Sequence, residues 1–222
     1  MKQKIISLLL IAFIISGGAG AYMYKTAKTA RIKAAQEELR IKEEAKEQRK
    51  QEIQTLYDAY LNDFTQALRD KTENYKKSRK FLNDISSPYN FETPELAKEN
   101  YTLFTKELLP ALRKQINNII ALFDQYEQKL KTDVAQDESD IKNIFMDQWV
   151  EMSKEQLMSY VNFFAKEDLI LSAYNELVTF AYVHSMVYSV DLETNQFIFK
   201  RKKDETKYNA LIKKIKDLKA QH

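Results

Sequence analysis

Apolar residues recur at three- and four-residue steps along most of the chain, and this spacing predicts helices. Ile53, Tyr57, Tyr60, Phe64, Leu68, Tyr75, Leu82 and Ile85 fall at such steps or at multiples of them, one stripe on a long helix. The stripe stops at Ser86-Ser87-Pro88, because proline has no amide hydrogen with which to continue a helix. Residues 86–93 are therefore expected to form a loop. Thr93 then reads as an N-cap, with Pro94 at the first helical position and Glu95 in the first turn.

The second helix has the cleanest pattern. Tyr101, Phe104, Leu108, Leu112, Ile116, Ile119, Phe123, Tyr126 and Leu130 are separated only by threes and fours. Pro110 lies inside this run and predicts a kink. The polar stretch from Lys131 to Ser139 reads as a loop, with Asp137 or Ser139 capping a third helix that carries Ile141, Ile144, Phe145, Trp149 and Met152 on one face. Ser153-Lys154-Glu155-Gln156 matches a capping box, so a break and restart at Ser153 is an alternative to a continuous helix. Leu157, Tyr160, Val161 and Phe164 carry the stripe onward either way.

Residues 168–189 are apolar on most sides, with Ser172, Asn175, Glu176 and Thr179 as the only clear polar strip. This is expected to be the most buried helix of a bundle; Asn175, Glu176 and His184 argue against a second membrane span. Residues 190–199 read either as a hairpin, with Phe197-Ile198-Phe199 as its return strand, or as a loop. A final amphipathic helix runs from Lys203 to Gln221, with Tyr208, Leu211, Ile212, Ile215 and Leu218 on one side.

Two segments break the amphipathic pattern. Residues 25–52 are Lys, Arg, Glu, Gln and Ala with sparse apolar residues, and opposite charges stand at helical spacing: Glu37 to Arg40, Glu38 to Lys42, Glu43 to Lys46 and Glu47 to Lys50. They predict a solvated helical stalk, with a weakly paired coiled coil or a disordered charged linker as alternatives. Before them, Lys2 and Lys4 precede a run that stays apolar or small from Ile5 to Tyr24. At 1.5 Å per residue, twenty residues cover roughly 30 Å, the thickness of a bilayer core. Tyr22, Tyr24 and Lys25 resemble an interfacial anchor. The small residues around Ala19 and Ala21 equally suit cleavage of a secretory signal after Ala21. Basic residues on both flanks leave the orientation open, and the expectation is a body on the exported side.

The fold class expected is therefore all-α: a membrane segment (1–24), a charged helical stalk (25–52), an antiparallel helical bundle (53–199) and a basic amphipathic C-terminal helix (200–222).

Composition sharpens what chemistry is open. The 222 residues contain three glycines, Gly17, Gly18 and Gly20, and no cysteine. Average usage would place about fourteen glycines in the remaining chain. Phosphate-cradling loops, dinucleotide turns, nucleophile elbows and EF-hand loops need glycine for positive φ or close backbone approach, so all are excluded. Without cysteine there is no thiolate nucleophile, disulfide or cysteine-ligated metal. No enzyme, cofactor or metal centre is expected. Asp137-Glu138-Ser139-Asp140 fits helix capping better than cation binding, and Asp191 to Asn195 makes a poor calcium loop.

Charge is unevenly placed. The body, 51–199, carries a net −9, while 25–50 and 200–222 carry +4 and +6. Lys200, Arg201, Lys202, Lys203, Lys213, Lys214 and Lys216 form a basic surface that would either meet anionic lipid or another acidic partner, or dock on the same protein's acidic body. Glu176 and His184, in the most apolar helix, are the polar pair to watch for a buried site. The function expected is that of a single-span, membrane-anchored bacterial envelope protein of scaffold or assembly type. Its partners would be the membrane, through Ile5 to Tyr24, and another envelope protein or a second copy; nucleic acid is not expected. The alternatives are a helical small-molecule sensing module or a soluble protein released by cleavage.

Overall fold

The computed structural model describes the backbone of residues 2–221 and the side chains of 26 and 28–221. The chain forms two compact units, Met1–Leu56 and Tyr57–His222. In the first, helix α1 (Lys2–Arg79) is exposed along its described side chains from Thr26 to Glu52, with only Lys46 and Lys50 partly covered. Its polar face closes on itself: Arg40 bridges Glu37 and Glu44, Arg49 pairs with Glu52, and Lys50 pairs with Glu47. The side chains of Ile5 to Tyr24, the expected membrane segment, lie outside the described residues. Among the described residues no helix is long and apolar enough to cross a membrane.

The second unit is mainly helical. It holds the end of α1 from Tyr57, then α2 (Phe81–Ile85), a 3-10 turn (Pro88–Phe91), α3 (Pro94–Leu103), a π-turn (Phe104–Leu108), α4 (Leu109–Asp133), α5 (Ser139–Val183), the strands β1 (Tyr188–Asp191) and β2 (Gln196–Phe199), and α6 (Lys202–Ala220). Contact pairs set the directions. Tyr60 meets Tyr126 and Gln115 meets Ser78, so α4 runs antiparallel to α1. Tyr57 meets Phe145 and Tyr75 meets Phe164, so α5 runs parallel to α1. Arg113 with Asp168 and Phe123 with Tyr160 place α4 antiparallel to α5, and Lys214 with Glu176 and Lys219 with Tyr174 do the same for α6. The core is aromatic: Phe64 packs edge-on against Phe123, Tyr126 and the fully buried Trp149. Such pairs add about 1 kcal/mol each to the burial of their area.

Local sequence accounts for most boundaries. Thr93 Oγ1 accepts the Leu96 amide at 3.2 Å, and Pro94 follows at the first helical position. The kink expected from Pro110 takes the form of a π-turn at Phe104–Leu108. Widening the helix one turn upstream relieves the clash between the proline ring and the preceding carbonyls.

Three sequence expectations need correction. The first helix ends at Arg79, and α2 restarts after a tight turn in which the Lys80 amide reaches back only to Lys77. Helix α5 is unbroken for 45 residues, so the capping-box match at Ser153 is not a start: Ser153 is buried mid-helix. That helix has Glu138 at its cap position, rather than Asp137 or Ser139, and Ser139 is its first residue. The expected all-α class fits broadly, and of the two readings open for 190–199 the hairpin is the one found: residues 188–199 pair antiparallel, Tyr188 with Phe199 and Val190 with Phe197. The hairpin is no isolated ribbon. Tyr188, Phe197 and Phe199 cluster with Tyr208 of α6, and Phe197 also meets Phe91 of the 3-10 turn. Asn195 takes the one positive φ of the non-glycine described residues, +50°, as asparagine does more readily than most residues.

Candidate functional site

Glu176 and His184 come together where α6 crosses the C-terminal end of α5. Both line a cleft of about 450 Å³, with Thr179 and Phe180 from α5 and Lys207 and Leu211 from α6. They reach it differently from the burial expected. Glu176 is exposed, its side chain 48% accessible, and both carboxylate oxygens lie 2.8 Å from Lys214 Nζ. It sits on the polar strip with Ser172, Asn175 and Thr179, which helical periodicity turns away from the core.

His184 is half-buried and closes the C-terminus of α5, its amide bonded to the Phe180 carbonyl at 3.0 Å. The ring stacks on Phe180 with centroids 4.3 Å apart, and Nδ1 lies 3.0 Å from the same carbonyl. A carbonyl only accepts, so Nδ1 is the nitrogen that donates in this contact. Lys207 Nζ stands 5.5 Å from the Phe180 ring centre, a cation–π distance. The cleft thus offers one imidazole, one ammonium and one neutralised carboxylate. It can hold a small polar molecule, but it positions no nucleophile beside His184.

The most deeply buried carboxylate among the described residues is Glu167, nine residues earlier and 0% exposed. It accepts Tyr75 OH at 2.6 Å, Arg79 Nε at 2.5 Å and Arg79 Nη2 at 3.0 Å. The fork of Arg79 is thus bidentate on one carboxylate, the strongest geometry for such a pair. Glu167 holds the Arg79 guanidinium above its ordinary value, and burial together with the Glu167 bond pushes the Tyr75 phenol up. Periodicity held the signal: Glu167 is in phase with Phe164, Ile170, Leu171 and Tyr174, which are all buried, whereas Glu176 is not.

The basic surface is divided in use. Helix α6 lays Ile215 against the body, buried, with Tyr208, Leu211, Ile212 and Leu218 partly covered. Lys214 pairs with Glu176 of α5, Lys213 with Asp217 and Lys202 with Glu205. Arg201 pairs with Asp204, itself buried, and Lys200 Nζ donates to the Met186 carbonyl at 3.0 Å. Lys203 and Lys216 are exposed on the outer side.

Asp191 serves the hairpin turn. It accepts the amides of Glu193 and Thr194 and the Thr194 hydroxyl, and these bonds hold its carboxyl below the usual range. Among the described residues no group of three or more His, Cys, Asp or Glu side chains is placed to hold a metal ion. No family model, curated protein or solved structure matches the chain.

Proposed function

We propose that the chain is a single-span, membrane-anchored structural or interaction protein of a bacterial cell envelope, with its helical body on the exported side. The reading rests on one contrast: a twenty-residue apolar run, Ile5 to Tyr24, is followed directly by a helix whose described side chains from Thr26 to Glu52 bury no apolar residue. A helix that is polar all round gains nothing by packing and serves as a solvated spacer, about 40 Å long over these residues. The lysines of α6 then supply a cationic face for an anionic membrane surface or an acidic protein.

Intact-mass analysis of the native protein, with reporter fusions at the C-terminus, tests the proposal. A retained N-terminus and an exported reporter are expected. A mature chain beginning at Tyr22 would replace the anchor with a released soluble protein, and a cytoplasmic reporter would overturn the orientation.

A second reading, a small-molecule sensing module, is favoured by the shared cleft of Glu176 and His184. It predicts that Glu176→Gln and His184→Gln weaken binding of a polar ligand while leaving thermal stability in place. Two variants that only lose stability would remove it.

A further inference from the structure

A second cavity, of about 460 Å³, opens among α2, α3 and the start of α4, well within the size of small-molecule sites. Ile85, Leu103 and Leu108 supply apolar wall, and no lysine, arginine or histidine lines it. Two carboxylates do, Asp84 and Glu107, both exposed and neither in an ion pair among the described residues. Phe81 also lines it, 58% exposed to water, and Leu103 is 47% exposed. The cavity thus sets exposed hydrocarbon beside two carboxylates that no basic side chain on its wall neutralises.

The wall is built rather than incidental. Asn100, 8% exposed, lines the cavity and donates Nδ2 to the Ile85 carbonyl at 2.8 Å. Asn90, also on the wall, donates Nδ2 to the Asp84 carbonyl at 2.6 Å. Two amides from different segments thereby pin the end of α2, and with it Asp84. The opposite wall is the π-turn. At the α-helical 100° per residue, Leu103 and Leu108 would point roughly 140° apart; the wider π-turn brings both, with Glu107, onto one face. Such turns are frequent at functional sites.

We infer that this cavity binds a small organic cation with an apolar body, an aryl- or alkylammonium. The hydrocarbon lies against Ile85, Leu103 and Leu108, and the ammonium sits between Asp84 and Glu107 within reach of the Phe81 ring, where carboxylates and an aromatic face both favour positive charge. The inference is independent of membrane attachment and of the cleft at His184.

The test is a calorimetric titration of the full chain, in uncharged detergent, with three probes of one size: 2-phenylethylammonium, 2-phenylethanol and phenylacetate. The ammonium is expected to bind saturably, about tenfold more tightly than the alcohol, the sum of two exposed charge contacts and one cation–π contact. Phenylacetate should show no saturable binding. Asp84→Asn with Glu107→Gln should bring the ammonium down to the level of the alcohol and leave the alcohol unchanged. Leu103→Arg, at an exposed position, places a cation at the mouth and should abolish ammonium binding. Equal affinity for ammonium and alcohol, or no saturable binding of the ammonium, overturns the inference. So does full binding by either variant, and Leu103→Arg decides alone if the double variant fails to fold.

Discussion

Glu167 has no access to water, and its partners therefore decide what its loss would cost. Removing one member of a buried pair leaves the other charge without its counterion, which costs about 3–5 kcal/mol when both are fully buried. Arg79 is 31% accessible and can recover some hydration, so Glu167→Ala is expected to lower unfolding free energy by about 3 kcal/mol, the low end of that range. Tyr75→Phe removes a single hydrogen bond to a charged group and should cost about 2 kcal/mol. The double variant should lose less than the two combined, because one network is counted twice. Urea unfolding followed by circular dichroism measures all three; strict additivity would refute a shared network.

The phenols give a pH dependence of fixed sign. Burial pushes Tyr208 up to about 12, burial with the Asp63 bond pushes Tyr126 up to about 12, and Tyr60, Tyr75 and Tyr188 are also raised. A raised pKa means that the folded state holds its proton longer than the unfolded chain. Stability from these groups is therefore whole below about pH 10 and falls as pH rises through the folded values. Helix content and tyrosinate absorbance recorded together from pH 9 to 12.5 should show the part of the absorbance that belongs to these five phenols delayed until unfolding begins. Ionisation of all thirteen phenols near pH 10 with helix intact would contradict the packing of these five rings.

At the scale of elements, what the sequence revealed tracks what periodicity can carry. Three- and four-residue spacing found α3, α4, α5 and α6, because one apolar face per helix repeats often enough to stand out. It failed where the deciding contact is distant in sequence. The hairpin is short, and its rings are held by Phe91 and Tyr208 from elements on either side, so no local pattern distinguished it from a loop. The capping-box match at Ser153 was overridden because Ser153 is buried in mid-helix, one turn after the buried Trp149. The expected burial of Glu176 followed the mean hydropathy of the helix, whereas its phase puts it on the exposed polar strip.

Helix α6 is the element whose role is most open to test. A freely exposed basic arm could be removed without consequence for the bundle; a helix that buries Ile215 and pairs Lys214 across to α5 could not. Ile215→Ala should cost about 2–4 kcal/mol, and deletion from Lys200 should lower the melting temperature markedly. An unchanged melting temperature after deletion would return α6 to the status of a loose arm. Lys203→Glu with Lys216→Glu, on the outer side, should leave stability unchanged and weaken attachment to anionic vesicles.

Over the whole molecule, burial and charge are segregated along the chain. Residues 51–199 carry the net negative charge and nearly all the core, while 25–50 carry a positive excess and bury no apolar side chain among those described. The helix over 26–50 is held by its own backbone and by exposed pairs worth about 0.3–0.5 kcal/mol each. Such a segment opens locally at a small fraction of the free energy that a packed core demands. It also offers lysine or arginine at Lys28, Arg31, Lys33, Arg40, Lys42, Lys46, Arg49 and Lys50. Brief trypsin treatment of the full chain should therefore cut first between Lys28 and Lys50, and leave a resistant fragment starting near Gln51. That fragment should keep its helical spectrum and a cooperative melt, because the aromatic core from Tyr57 onward lies within it. High salt should speed the first cuts by screening the exposed pairs, and should leave the resistant fragment's lifetime little changed. First cuts inside α4 or α5 would show that the body, not the charged helix, is the weaker part of the protein.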